Sequence, residues 1–116
     1  MHNYKNFIAW QKAIKLSIKI YKVTNTFPDH ERFGLTNQLR RAGVSIPSNI
    51  AEGSKRGTRK DFKNFLNIAN GSGAELETQL CIAEQLEYLS KEDYDMLMKD
   101  VDEIMKIITA LIKKFE

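Results

Sequence analysis

The chain has 116 residues, 42% hydrophobic and 28% charged, with a formal net charge of +3, two prolines, six glycines and one cysteine. That length buries a working core as one domain spanning 1–116 without disulfides or a structural metal, and the composition excludes a disordered or low-complexity chain. No run approaches the ~20 uninterrupted apolar residues of a membrane span, and lysines break the first apolar segment too often for a signal-peptide core, so no membrane contact and a cytoplasmic location are expected.

From Phe7 to Phe27, Ala13, Leu16, Ile20, Val23 and Phe27 recur at spacings of three and four, which predicts a first amphipathic helix; Ile14, Ile18 and Tyr21 widen its apolar face. Lys5, Lys12, Lys15, Lys19 and Lys22 draw the opposite side as a stripe with no acid among them. Pro28 ends this helix, and Pro-Asp-His-Glu at 28–31 reads as the start of a second, its acids suited to the helix dipole. Leu35, Leu39, Ala42, Ile46 and Ile50 form the second seam, which runs to about Gly53, and Pro47 is expected to kink it or end its regular part.

Gly53-Ser54-Lys55-Arg56-Gly57 is a turn by composition. Thr58 then caps a third helix with the seam Phe62, Leu66, Ala69, Gly73, Leu76, Leu80 and Ala83, reaching to Leu89. Each glycine in the Gly71-Ser72-Gly73-Ala74 stretch costs about 1 kcal/mol relative to alanine, which predicts that a neighbouring helix comes close there. Cys81 reads as a small buried hydrophobe. Ser90 with Asp93 starts a fourth helix, whose seam is Tyr94, Leu97, Val101, Ile104, Ile108, Leu111 and Phe115. Without strand alternation, and with short connections, the expected fold class is all-α, an up-down-up-down antiparallel four-helix bundle.

Charge is divided unevenly along this plan. Residues 1–63 carry thirteen Lys/Arg against four Asp/Glu, and residues 64–116 carry five against eleven. Either an anionic partner faces one part of the molecule, or opposite charges pair between helices or subunits. In an up-and-down bundle one pole collects Lys5, Lys55, Arg56, Arg59, Lys60, Lys63, Lys113 and Lys114, and the other receives Asp29, Glu31, Glu87, Glu92, Asp93 and Asp95. Lys12, Lys15, Lys19, Lys55, Arg56, Arg59, Lys60 and Lys63 are therefore the candidate nucleic-acid-binding residues, acting through backbone electrostatics.

Arg41, Ser45, Asn49 and Glu52 line one side of the second helix at spacings of four, four and three, and Glu75 and Gln79 form a comparable pair on the third. They read as a pocket for phosphate or a ribose hydroxyl, or as a structural polar network that sets helix register; the second reading is preferred because buried polar groups normally satisfy one another. Gly53 to Thr58 lacks the G-x-x-x-x-G-K-[ST] order and no strand precedes it, so it is not a P-loop, although a helix N-terminus among cations can hold a backbone phosphate. His2 and His30 are too isolated for a metal site, and no nucleophile stands in a catalytic setting, so neither metal, cofactor nor enzymatic activity is expected. Trp10, Tyr21 and Tyr88 fit packing or an interface better than base stacking.

The run Gln38-Leu39-Arg40-Arg41-Ala42, then Ser45-Ile46-Pro47-Ser48-Asn49-Ile50-Ala51-Glu52-Gly53 and Arg56, resembles the 23S rRNA-intervening sequence protein family. Trp10-Gln11-Lys12-Ala13, Phe65-Leu66-Asn67-Ile68-Ala69, Gly71-Ser72 and Glu75-Leu76-Glu77-Thr78-Gln79 extend the resemblance over almost the whole chain. It implies a small bacterial bundle that assembles into a homopentameric ring. It also implies kinship with the accessory proteins of diversity-generating retroelements, basic pentamers that bind nucleic acid and a reverse transcriptase. No catalytic residues follow from it. The leading expectation is a non-enzymatic homo-oligomer that binds nucleic acid, RNA or a ribonucleoprotein, through a basic face; the alternative is a scaffold that docks an acidic protein partner.

Overall fold

An apolar stripe at helical spacing is stable only against other such stripes, and the chain supplies four. The computed structural model describes residues 3–116, and among them there is no strand. Four helices, α1 (Ile8–Thr24), α2 (Leu35–Ser54), α3 (Arg59–Gln85) and α4 (Lys91–Lys114), run up and down, with short 3-10 turns at Tyr4–Asn6 and Asp29–Glu31. The chain forms a bundle 43 Å long and about half as wide. Its core is built from the expected seams: Leu16 and Ile20 on α1, Leu39, Ile46 and Ile50 on α2, Phe62, Leu66, Leu76 and Leu80 on α3, Leu97, Ile104 and Ile108 on α4.

Aromatic contacts close both ends. At one pole Phe62 packs on Phe7 and Phe115, with ring centroids 5.8 and 5.0 Å away. These contacts bring the starts of α1 and α3 against the end of α4. At the other pole Phe27 lies 5.5 Å from Tyr88, joining the link after α1 to the link after α3.

The boundaries depart from the sequence expectation where a local bond overrides the pattern. The acids at 28–31 do not open α2; they form a separate 3-10 turn, and α2 begins at Leu35. Glu31 still serves it, its Oε1 accepting the Leu35 N–H at 3.2 Å. Helix α3 stops at Gln85 because Glu87 takes a left-handed conformation (φ 63). The Tyr88 N–H then bonds back to the Ala83 carbonyl and the Glu87 N–H to that of Glu84, which closes the helix end. Thr58 and Ser90 cap as expected, each accepting at 3.1 Å from the N–H three residues on. Cys81 is half-buried rather than a core residue, because it lies on the flank of the α3 seam. His2 lies outside the described residues.

Pro47 neither ends nor divides α2, which continues to Ser54. Proline cannot donate to the Gly43 carbonyl one turn back, and the buried Ser17 hydroxyl of α1 donates to it instead, at 2.8 Å. Gly43 makes that reach possible, since a Cβ there would lie 3.0 Å from Ile20 Cδ1. The expected close approach on α3 falls on one glycine of the pair: a Cβ on Gly73 would meet Met105 of α4 at 2.8 Å, whereas one on Gly71 would meet nothing.

Ser17→Ala should therefore leave a buried carbonyl without a donor and lower stability by about 1–3 kcal/mol in denaturant unfolding. Gly71→Ala should raise stability by about 1 kcal/mol, and Gly73→Ala should lower it; equal responses at the two positions would contradict the packing described.

Candidate nucleic-acid interface

A four-residue link joins α2 to α3. Gly57 turns it with φ 90, backbone that glycine adopts at little cost, and Thr58 starts α3. Lys55 and Arg56 thus leave the end of α2, and Arg59 and Lys60 enter the first turn of α3, all four exposed. Lys5, Lys113 and Lys114 share this pole, because Phe7 and Phe115 both pack on Phe62 there.

The cations differ in their company. Arg56 bonds Glu52 at 2.8 Å and lies 4.8 Å from the Phe65 ring, and Lys63 reaches Glu116 at 3.6 Å. Lys55 sits 6.0 Å from the Tyr4 ring. Among the described residues Lys5, Lys55, Arg59, Lys60, Lys113 and Lys114 make no ion pair. Lys113 and Lys114 suit the negative end of α4, but Arg59 and Lys60 oppose the positive end of α3, a placement that costs about 0.3–1 kcal/mol each when unanswered.

The lysine stripe of α1 is not a free positive surface. Lys12 pairs with Glu103 and Lys19 with Asp100 at 2.8 Å, both acids projecting from α4. Lys15 stands between them without an ion pair, on the same groove as Leu16 and Ile104. Of the two readings of the charge division, pairing between helices accounts for Lys12 and Lys19 on this face; at the basic pole Lys63 alone is paired across the bundle among the described residues, with Glu116.

Arg41, Ser45, Asn49, Glu52, Glu75 and Gln79 form three separate groups. The Ser45 and Ser72 hydroxyls bond at 2.8 Å across α2 and α3, and Asn49 donates to the Ser45 carbonyl and hydroxyl. Glu52 is engaged with Arg56. Arg41, Glu75 and Gln79 line an open groove with Asn37 and Gln38; Gln79 is buried, and its Oε1 has no partner among the described residues. Along the outer side of α3, Phe65, Ile68, Ser72, Glu75, Gln79, Ile82 and Leu86 follow at spacings of three and four. Ile68, Ile82 and Leu86 are 51%, 48% and 49% exposed.

The opposite pole holds its expected acids, yet Arg32 and Arg40 stand there too. The sequence-based assignment of charges to the poles left them out: Arg32 follows the acids of the turn, and Arg40 stands in the second turn of α2. Partial burial, then the hydrogen bond to Glu31 and its charge, raise the Tyr88 phenol above its ordinary 10.0, so Tyr88 donates to Glu31 Oε2 at 3.1 Å throughout the neutral range. Tyr94 is raised as well, by burial first and then by Cys81 and Glu84.

From residue 5 to residue 110, through all four helices, the sequence matches the 23S rRNA-intervening sequence protein family. The chain belongs to that family. No curated protein matches it. Its fold is similar to a crystal structure from Bacteroides thetaiotaomicron described as a protein with unknown function from the S23 ribosomal protein family. The two superpose with a TM-score of 0.85 at 30% identity, covering 91% of this chain and 96% of that one. Within this 23S rRNA-intervening sequence protein, the link carrying Lys55, Arg56, Arg59, Lys60 and Lys63 lies inside the matched span, and Lys113 and Lys114 lie beyond it. No group of three or more His, Cys, Asp or Glu among the described residues is placed to hold a metal ion, and no described helix is long and apolar enough to cross a membrane.

Proposed function

We propose that this 23S rRNA-intervening sequence protein is a non-enzymatic cytoplasmic homo-oligomer that binds nucleic acid, RNA or a ribonucleoprotein, through the phosphate backbone at its basic pole. The observation that carries the reading is the placing of Arg59 and Lys60 against the α3 dipole, exposed and unpaired, beside Lys55 and Lys5. A folded chain gains nothing from that arrangement by itself. A polyanion laid across the helix N-terminus meets the dipole and the cations together and releases condensed counterions.

Self-association has separate support on the outer side of α2 and α3. Burying the Gln79 amide oxygen without a donor costs about 1–3 kcal/mol, and the exposed Ile68, Ile82 and Leu86 flank it on the same stripe. A second copy supplies both a donor and apolar cover, and a ring of five is the assembly the family resemblance implies. The alternative, a scaffold for an acidic protein, draws support from an apolar groove between α1 and α4. Ile8, Ile107 and Leu111 line that groove beside Lys114.

Neutralising Lys55, Arg59 and Lys60 together to Gln should weaken binding of a short RNA and flatten the slope of log K against log salt by about two to three, while reversing Glu92, Asp93 and Asp95 to Lys should not weaken it. Asp100→Asn with Glu103→Gln should strengthen binding by releasing Lys19 and Lys12. If RNA does not bind at low salt, or the basic-pole substitutions change nothing, the acidic-partner reading replaces this one. Light scattering of the native chain at micromolar concentration should give a closed oligomer, and Ile82→Glu with Leu86→Glu should give a folded monomer; a native monomer would remove self-association from the proposal.

A further inference from the structure

At the pole opposite the basic one, the end of α1, the turn at 29–31 and the start of α2 surround a pocket of about 230 Å³. Its chief charge is Arg40, already fixed before any ligand arrives. Arg40 Nε donates to Thr24 Oγ1 at 2.9 Å, Nη2 donates to Asn25 Oδ1 at 3.2 Å, and the guanidinium lies 4.7 Å from the Tyr21 ring. Nη1 has no acceptor among the described residues. Arg32 lines the same pocket, exposed, and neither arginine has a carboxylate within ion-pair distance among the described residues, although Asp29 is on the wall.

Thr36 supplies the independent observation. It lines the pocket, is 7% exposed, and its Oγ1 is sealed from solvent without any hydrogen-bond partner among the described residues. A hydroxyl so placed has given up its hydration without a hydrogen bond in return. Threonine in a helix has two accessible rotamers, so a staggered turn of this side chain can present the hydroxyl to an occupant. Two guanidinium groups without an ion pair, a threonine whose hydroxyl is one rotamer step from the space, and the start of α2 line one small volume, which is the recognition chemistry of a tetrahedral oxyanion.

Asp29 narrows the choice. A carboxylate on the wall repels a fully ionised anion and accepts a hydrogen bond from one that keeps a proton. We propose that this pocket binds phosphate in a protonated form, with Arg40 Nη1 and Arg32 on its charged oxygens, Thr36 donating to it and Asp29 accepting from its hydroxyl. The pocket is separate from the basic pole, and it stands or falls independently of nucleic-acid binding there.

The test is an isotope-edited NMR titration of the full chain with inorganic phosphate, sulfate and glycerol phosphate at neutral pH, paired with thermal unfolding. Phosphate should shift the Thr36 amide and Arg40 Nε signals and raise Tm, and sulfate should bind about tenfold more weakly because it has no proton for Asp29. Arg32→Gln should weaken phosphate about tenfold. Thr36→Val should weaken it several-fold while the ligand-free chain stays at least as stable, since the hydroxyl has no bond to lose. Asp29→Asn should bring sulfate level with phosphate. Tighter binding of glycerol phosphate would make the occupant a phosphate ester and tighter binding of the free ion would make it inorganic phosphate; both outcomes uphold the site. Silence of the Thr36 and Arg40 signals, unchanged affinity in Arg32→Gln and Thr36→Val, or equal binding of sulfate by the native chain would overturn it.

Discussion

The hydrogen bond from the Ser17 hydroxyl to the Gly43 carbonyl carries more of this structure than its size suggests. A proline in a helix interior costs about 3 kcal/mol, partly through the carbonyl left bare one turn back. Here α1 fills that vacancy, and it comes near enough because residue 43 has no side chain. Helix α2 therefore runs unbroken past Pro47, which keeps Ser45 and Asn49 in register with Ser72 and delivers Lys55 and Arg56 to the end of the bundle. Had α2 stopped at the proline, the basic link would have been set loose from the Phe62, Phe7 and Phe115 cluster that now fixes its place.

The charges obey a second constraint, set by which helices are neighbours. Closing the bundle puts α4 beside α1, so the acids of the C-terminal half fall on the lysines of the N-terminal half. Glu103 and Asp100 lie half-exposed against Lys12 and Lys19. Such pairs contribute about 0–1 kcal/mol each to stability. Their larger effect is on the distribution of charge: they neutralise Lys12 and Lys19 along the side of the bundle, whereas Arg59 and Lys60 at the pole make no ion pair among the described residues.

Much of this was legible in the sequence, for a physical reason: apolar residues at three-and-four spacing must share an interior, and Leu39, Leu66, Leu76 and Ile104 are all buried as that rule requires. The caps at Thr58 and Ser90 were legible because a hydroxyl and the N–H three residues on are neighbours in the chain. What stayed hidden depends on contacts between elements. Nothing near Pro47 tells that Ser17, thirty residues earlier, answers Gly43. Glu52 lies in helical step with Arg41, Ser45 and Asn49, yet Arg56, one turn on, takes it out of their group. Arg32 was masked by the acids just before it, and only folding sets Arg40, on α2, against Tyr21 and Thr24 of α1.

The polarity of the protomer also limits the assemblies that can serve nucleic-acid binding. Two copies packed antiparallel bring the basic pole of each toward the acids of the other, and the fields cancel where a polyanion would need them. A cyclic ring, in which every protomer points the same way, repeats Lys55, Arg59 and Lys60 around one rim and adds their potentials. Such a ring must use a heterologous contact, one patch meeting a different patch. The outer side of α2 and α3 suits that requirement: its centre holds both Arg41 and Glu75, and neither makes an ion pair among the described residues. A two-fold axis through Glu75 would set like charges together, whereas a contact that displaces one stripe along a neighbour can separate them. The stripe on α3 and the cations at its N-terminus are then parts of one arrangement, since the direction in which the first packs decides whether the second can act together.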